Sequence, residues 1–354
     1  MKLAAPAMFR LLACCLACVA CLAAGSAQAA APWLPAPPMR PEVAQGVALG
    51  LHFQDPEASY EGYLWEIART GADSVSLVVS WSQADIRATE IAPRAGETPP
   101  DEGVRRAIAA AHKMGLKVLL FPIIMIEHRG PGEWRGKLAP SDRERWFASY
   151  RAFLLHYATM ASECGAEVLS VGSELGTMQL DGDRWRAMIG EVRSVYRGRL
   201  LYSANWDDYE SVPFWRDLDA VGVTGYYELV RSGTETPDVP ALVSAWQPIV
   251  ADLRRLSAQF ARPVVLTEVG YPSQAIAARH PWDYTRAGKV DMAAQERLYR
   301  ALYLAWSEVP ELGGLYIWNW FGDGGGGDNG YTPRGKPSEK VIRHWFGAEQ
   351  ERAQ

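Results

Sequence analysis

Lys117-Val118-Leu119-Leu120-Phe121-Pro122-Ile123-Ile124, the helical stretch Asp142–Glu163, and Val168-Leu169-Ser170-Val171-Gly172-Ser173-Glu174 together decide the architecture of this chain. The two outer segments are near-continuous apolar runs. That is the pattern of parallel strands covered on both faces, since a strand with one wet face alternates. Between them Trp146, Tyr150, Leu154 and Tyr157 recur at helical spacing, with Ser141 placed as an N-cap. Strand, helix and parallel strand make one βα unit.

The unit repeats in both directions. Further apolar runs lie at Gly46–Phe53, Ser74–Trp81, Leu200–Asn205, Ala220–Tyr226, Pro263–Val269 and Gly314–Trp320. Helical patterns lie at Asp101–Met114, where Gly115 suits the end, and at Asp183–Tyr196, Val239–Phe260 and Asp291–Ser307. The segment after Asn205 is weaker because Pro213 interrupts it. Eight alternating units in about 300 residues predict a single-domain α/β fold, a closed (β/α)8 TIM barrel, over residues 46–347. No strand is followed by the Gly-rich turn of a dinucleotide site.

The ends read differently. Lys2 and Arg10, the apolar stretch Leu11–Ala24 and Ala27-Gln28-Ala29 have the layout of a secretory signal peptide over residues 1–29. Residues 30–45, with Pro32, Pro35, Pro37, Pro38 and Pro41, form an extended lead-in, and 348–354 a C-terminal tail. The expected location is extracellular or periplasmic. Lipid anchoring through Cys14, Cys15, Cys18 or Cys21 is the alternative, disfavoured because no clean Leu-small-small-Cys pattern precedes them. Cleavage would leave Cys164 alone, read as inert packing near a helix end, so no internal disulfide is expected. The apolar run is too short for a comfortable membrane span. A net charge of −5 without a recurring Lys/Arg cluster argues against a nucleic-acid partner. Nothing in the sequence fixes an oligomeric state.

Active sites of such barrels lie at the C-terminal ends of the strands. The strand ends here carry Ser80-Trp81, Glu127-His128, Gly172-Ser173-Glu174, Asn205-Trp206-Asp207, Gly225-Tyr226-Tyr227-Glu228, Thr267-Glu268 and Trp318-Asn319-Trp320. Glu174 and Glu268 are the candidate catalytic pair. Each closes an apolar run, and strands four and seven face each other across a barrel mouth. Cleavage of a glycosidic bond needs one carboxylic acid to protonate the leaving oxygen and a second carboxylate to attack or to activate water. A separation of about 5–5.5 Å would suit a retaining mechanism. One such Glu alone is as readily explained by a structural ion pair. Trp81, Trp206, Trp318 and Trp320 are candidate sugar-stacking walls, with core packing the competing reading for each. Asn205 and His128 are candidate partners for sugar hydroxyls, although His128 is equally readable as a loop histidine. Tyr226 is placed to donate to Glu268.

Other motifs fail on their chemistry. Gly330-Tyr331-Thr332-Pro333-Arg334-Gly335-Lys336-Pro337 imitates a phosphate loop, but its two prolines remove N–H donors and the final Ser/Thr is missing. Gly322–Gly330 lacks the alternating oxygen ligands of a calcium loop and reads as a flexible loop over the site, with only weak ion binding open to it. The histidines have no metal-ligand spacing, so neither metal nor cofactor is expected.

Three stretches carry a more specific likeness: Leu169-Ser170-Val171-Gly172-Ser173-Glu174-Leu175, Asp219-Ala220-Val221-Gly222-Val223-Thr224-Gly225-Tyr226-Tyr227 and Leu266-Thr267-Glu268-Val269-Gly270-Tyr271. With Gly335-Lys336-Pro337 after a Trp-rich strand, they resemble glycoside hydrolase family 113 from about Gly46 to Phe346. The resemblance implies a retaining β-mannanase acting on β-1,4-linked mannan or manno-oligosaccharides, with Glu174 as acid/base and Glu268 as nucleophile. Many relatives in the wider clan carry Asn before the acid/base, where it bonds the sugar 2-hydroxyl. Ser173 stands there in this chain, leaving Asn205 or another group to supply the contact. Two alternatives stay open. One is the same machinery on another β-glycan, such as a glucan, a chitosan-like polymer or an envelope polysaccharide. The other is a glycan-binding barrel without turnover, against which the presence of both glutamates argues.

Overall fold

The computed structural model describes residues 39–347 except 41, 56, 234, 284, 286 and 287. The expected signal peptide, most of the Pro-rich lead-in and the tail 348–354 lie outside the described residues. In chain order the elements are β1 (Ala44–Gly50), α1 (Glu61–Ala68), β2 (Ser74–Gln83), α2 (Asp101–Lys113), β3 (Lys117–Ile126), α3 (Arg143–Cys164), β4 (Val168–Ser173), α4 (Gly176–Gln179), α5 (Gly182–Val195), β5 (Arg199–Ala204), β6 (Ala220–Thr224), α6 (Val239–Phe260), β7 (Val264–Val269), α7 (Met292–Trp306), β8 (Leu312–Ile317) and α8 (Pro337–Trp345). Every strand pairs in parallel with the next, and β8 returns to β1 from Ala44↔Gly314 to Val47↔Ile317. The chain is a single-domain (β/α)8 TIM barrel.

Alternation along the strands sorts side chains between two cores. Val47, Leu49, Val75, Leu77, Val118, Leu120, Val221 and Val264 point outward and pack under the helices. Ala48, Val78, Leu119, Phe121, Leu201, Val265 and Tyr316 fill the barrel interior. The interior is narrow, so its large side chains need glycine beside them. A β-carbon on Gly46 would lie 2.1 Å from Cδ1 of Tyr316.

Local details depart from the sequence reading. The cap of α3 is Asp142, whose carboxylate accepts from Arg145 N at 3.1 Å, and Ser141 takes no part. An ionised cap next to the positive end of the helix dipole is the stronger choice. Between β5 and β6 the chain makes only 3-10 turns at Tyr209–Ser211 and Trp215–Asp217, on either side of Pro213. β1 runs two residues earlier than expected, because Ala44 and Gln45 complete the pairing with β8. The Gly322–Gly330 loop is tied down where flexibility was expected. Lys336 Nζ, buried beneath it, donates to Ser273 Oγ at 3.0 Å, Asp328 Oδ1 at 3.2 Å and the Gly330 carbonyl at 3.0 Å. Asp328 also accepts from Gly324 N and Gly330 N, so its oxygens are already committed within the loop.

Two glycine substitutions separate packing from propensity. Gly46→Ala should destabilise the fold by about 1–3 kcal/mol through overpacking against Tyr316. Gly190→Ala, on an open face of α5 with nothing within 4 Å, should stabilise it by about 0.5–1 kcal/mol. Chemical denaturation of the two variants checks both signs.

Candidate active site

A cavity of about 880 Å³ opens at the C-terminal ends of the strands. Glu174 and Glu268 both line it, although simple strand alternation would not present Glu268. Along β7, Val265 and Thr267 face inward, so strict alternation would send Glu268 outward with Leu266. Register shifts against β6, between Val223 and Thr224, and against β8, between Leu266 and Val269, re-aim it. Thr267 holds the turned segment through a 2.6 Å bond between its Oγ1 and Ser203 Oγ.

At Glu174 the device is different. β4 is irregular between Ser170 and Ser173, and Glu174 itself has φ of 54°, the left-handed region that costs a side-chain-bearing residue about 1–2 kcal/mol. Buried hydrogen bonds hold it there. Glu174 N donates to the Ser203 carbonyl at 2.8 Å, Leu175 N to Tyr202 Oη at 2.9 Å, and Tyr150 Oη to the Val171 carbonyl at 2.7 Å.

Both carboxylates are buried, Glu174 to 8% exposure and Glu268 to 4%. Arg135 Nη2 donates to Glu174 Oε2 at 2.6 Å, and Tyr226 Oη to Glu268 Oε2 at 3.1 Å. Glu268 Oε1 is buried without a protein partner. Burial, followed by the charge of Glu174, pushes Glu268 from its ordinary 4.5 up to about 7, with Arg135 and Tyr226 pulling the other way. Two interacting carboxyls titrate as a pair, so the site retains one proton close to neutrality. Burial and the neighbouring Glu268 raise Tyr226 well above its usual range, which keeps it a neutral donor.

The walls are aromatic and polar. Trp206 and Trp282 stack at 5.4 Å with planes 26° apart, and both line the cavity. Trp282 is 37% exposed, an unusual state for an indole and a ready platform for the apolar face of a sugar. Trp318, Tyr226, Tyr331, Trp134 and His52 complete the lining named by function-bearing rings. Asn205 lines the cavity and donates to Asp207 Oδ1, whereas Ser173 is buried and absent from the lining, its Oγ unpartnered.

Three expected site residues lie elsewhere. Trp81 packs outward on Phe153, His156 and Tyr157, because its position in β2 faces the helices. Trp320 is fully buried behind the rim and donates to Glu66 Oε2 at 2.9 Å. His128 is exposed outside the cavity, with its backbone N–H on the Ala84 carbonyl. Arg135, Trp134 and Trp282 were not foreseen. The first two sit in the loop after β3, beyond Glu127-His128, and Trp282 in the loop after β7, so reading each loop to its end would have found them. Among the described residues no group of three or more His, Cys, Asp or Glu is placed to hold a metal ion, and no helix is long and apolar enough to cross a membrane.

The raised Glu268 makes a stability prediction. Between pH 4.5 and about 7 the folded chain keeps a proton that the unfolded chain has released. Stability from this group is therefore highest below its ordinary value, declines as pH rises towards 7 and stays reduced above it. Glu268→Gln should melt higher than wild type at about pH 8, and the difference should shrink as pH falls towards the carboxylate range. Thermal scans across that range check the trend.

Known glycoside hydrolases resemble this chain over most of its length. Residues 50–325 match the family model described as Glycoside Hydrolase Family 113. A solved structure described as a complex of a GH113 β-1,4-mannanase is 24% identical, with 86% of this chain and 98% of that chain covered at a TM-score of 0.77. The GH113 β-mannanase AaManA from Alicyclobacillus acidocaldarius is 27% identical, with 86% and 97% covered at 0.77. A family 5 mannosidase from Rhizomucor miehei shares the fold at 11% identity, 87% and 94% coverage and a TM-score of 0.60. No curated protein sequence matches the chain at a significant level. A closed barrel with two buried glutamates at the ends of β4 and β7, matched to the family over most of its length, places this chain in glycoside hydrolase family 113.

Proposed function

We propose that the protein is a retaining hydrolase that cleaves β-1,4-linked mannan or manno-oligosaccharides by double displacement. The observation that carries the reading is the pair of buried carboxylates facing one cavity, Glu174 with an arginine and Glu268 with a tyrosine. Glu268 attacks the anomeric carbon while Glu174 protonates the leaving oxygen. Water then releases the glycosyl-enzyme, with Glu174 as base. Glu268 suits the nucleophilic role because Oε1 is unpartnered and Tyr226 fixes Oε2. The stacked Trp206 and Trp282 and the amide of Asn205 supply sugar contacts, Asn205 taking the 2-hydroxyl contact that buried Ser173 does not offer. Mannan is favoured as substrate because the GH113 structures that this chain resembles are described as β-mannanases. The layout of residues 1–29 supports export with cleavage after Ala29.

Hydrolysis of a panel of β-linked oligosaccharides, with the product anomer followed by NMR, tests the reading. Manno-oligosaccharides should be cut with retention. Glu174→Ala should lower kcat by about 10²–10⁴-fold, and Glu268→Ala should abolish turnover. Cleavage confined to another sugar would move the substrate, and an inverted product would exclude the double displacement. The active pair carries one proton, so kcat/KM should fall as pH rises through about 7.

A further inference from the structure

A buried polar network apart from the two carboxylates ends at the cleft. Lys336 Nζ and Ser273 N both donate to the Gly330 carbonyl, at 3.0 and 3.1 Å. Gln295 Nε2 of α7 donates to the Tyr331 carbonyl at 3.0 Å and to the Tyr271 carbonyl at 2.8 Å. Ser338 Oγ of α8 donates to Gln295 Oε1 at 2.6 Å. Ser273, Gln295 and Ser338 are fully buried. Groups so buried are costly unless bonded, and these direct their bonds at the backbone of Gly330 and Tyr331. The side chain held in place by them is Tyr331, which lines the cavity.

Tyr331 touches both halves of the site. Its Oη donates to the Pro281 carbonyl at 2.5 Å. The next residue is Trp282, the indole stacked on Trp206. Elsewhere the same loop is tied by the Gln274↔Val290 bridge and by Leu229 N on the Ala278 carbonyl, and Tyr331 holds it beside the indole. The Tyr331 ring meets Tyr226 edge to face, with centroids 6.2 Å apart and planes at 70°. That is within the range of an attractive aromatic pair. Tyr226 in turn donates to Glu268. One side chain therefore joins the exposed indole platform to the donor on the β7 carboxylate.

Resting on the hydrolase reading above, we propose that Tyr331 is a positioning residue with two separable actions. Through its hydroxyl it fixes the Trp282 face, and with it the affinity for a β-linked oligosaccharide that reaches that face. Through its ring it braces Tyr226, and with it the orientation of Glu268. A glycoside too short to reach Trp282 gains nothing from the first action.

Steady-state kinetics on a manno-oligosaccharide series separate the two. Tyr331→Phe keeps the ring and removes the hydroxyl. It should raise KM by about 2–10-fold, the effect of one lost hydrogen bond, for those oligosaccharides whose KM also rises in Trp282→Ala, with the loss on KM rather than kcat. In a Trp282→Ala background the same substitution should add nothing, because residues that act through one another are not additive. Tyr331→Leu removes the ring as well and should lower kcat, and Tyr226→Phe should cost less in that background than in wild type. A full effect of Tyr331→Phe in the absence of Trp282, or an equal loss on substrates of every length, would overturn the first action. An unchanged kcat in Tyr331→Leu would overturn the second. Fluorine NMR of fluorotryptophan-labelled protein, assigned with Trp282→Phe and Trp185→Phe, reads the hydroxyl's action without substrate. In Tyr331→Phe the Trp282 resonance should shift or broaden while that of Trp185, in the core, stays in place. An unmoved Trp282 resonance, or equal movement of both, overturns the proposal. Failure of wild type to cut any glycan while Trp282 responds as expected counts against the hydrolase reading alone.

Discussion

Like charges repel, and this molecule buries two carboxylates at the mouth of one closed barrel with little water to screen them. That repulsion organises the site. It combines with burial to lift Glu268 to about 7, and it makes a donor beside each carboxylate necessary: Arg135 on Glu174, Tyr226 on Glu268. The two donors differ in kind. Arg135 brings a full charge, whereas Tyr226 is held neutral by the same burial and can only orient. The two carboxylates therefore sit in different surroundings, Glu174 beside a charge and Glu268 beside a neutral donor.

The barrel supports this arrangement by breaking its own regularity at two places. Parallel strands alternate inward and outward, and alternation alone would turn Glu268 away from the cavity. Register shifts beside Glu268 and a left-handed backbone at Glu174 deliver the two glutamates, and tyrosines from α3 and β5 hold the irregular backbone by hydrogen bonds to Val171 and Leu175. The conformational cost at Glu174 is carried by elements whose own packing is regular.

The barrel was legible because parallel strands covered on both faces leave continuous apolar runs, and because helices such as Val239–Phe260 have clear periodicity. The carboxylates were legible through their place after such runs, not through any sign of the bulges that aim them. What failed were inferences about orientation. Trp81 and Trp320 stand at strand ends like Trp318, yet one-residue differences in alternation send them to the helices and behind the rim. Ser141 lost the cap of α3 to its neighbour Asp142, a difference of one residue in where the helix begins. Arg135 and Trp282 come from long loops, whose course depends on tertiary contacts such as Gly136 on Gly176. A periodic pattern carries no record of those.

The central claim is that Glu268 becomes covalently bonded to the sugar while Glu174 manages the proton. The most direct measurement is to trap that bond with an activated 2-deoxy-2-fluoro-mannoside, whose fluorine slows the second displacement, and to map the adduct by peptide mass spectrometry. The account predicts one sugar per chain, attached at Glu268 and absent from Glu268→Gln. Label on Glu174, or steady hydrolysis of natural substrate with no trappable adduct, would contradict it.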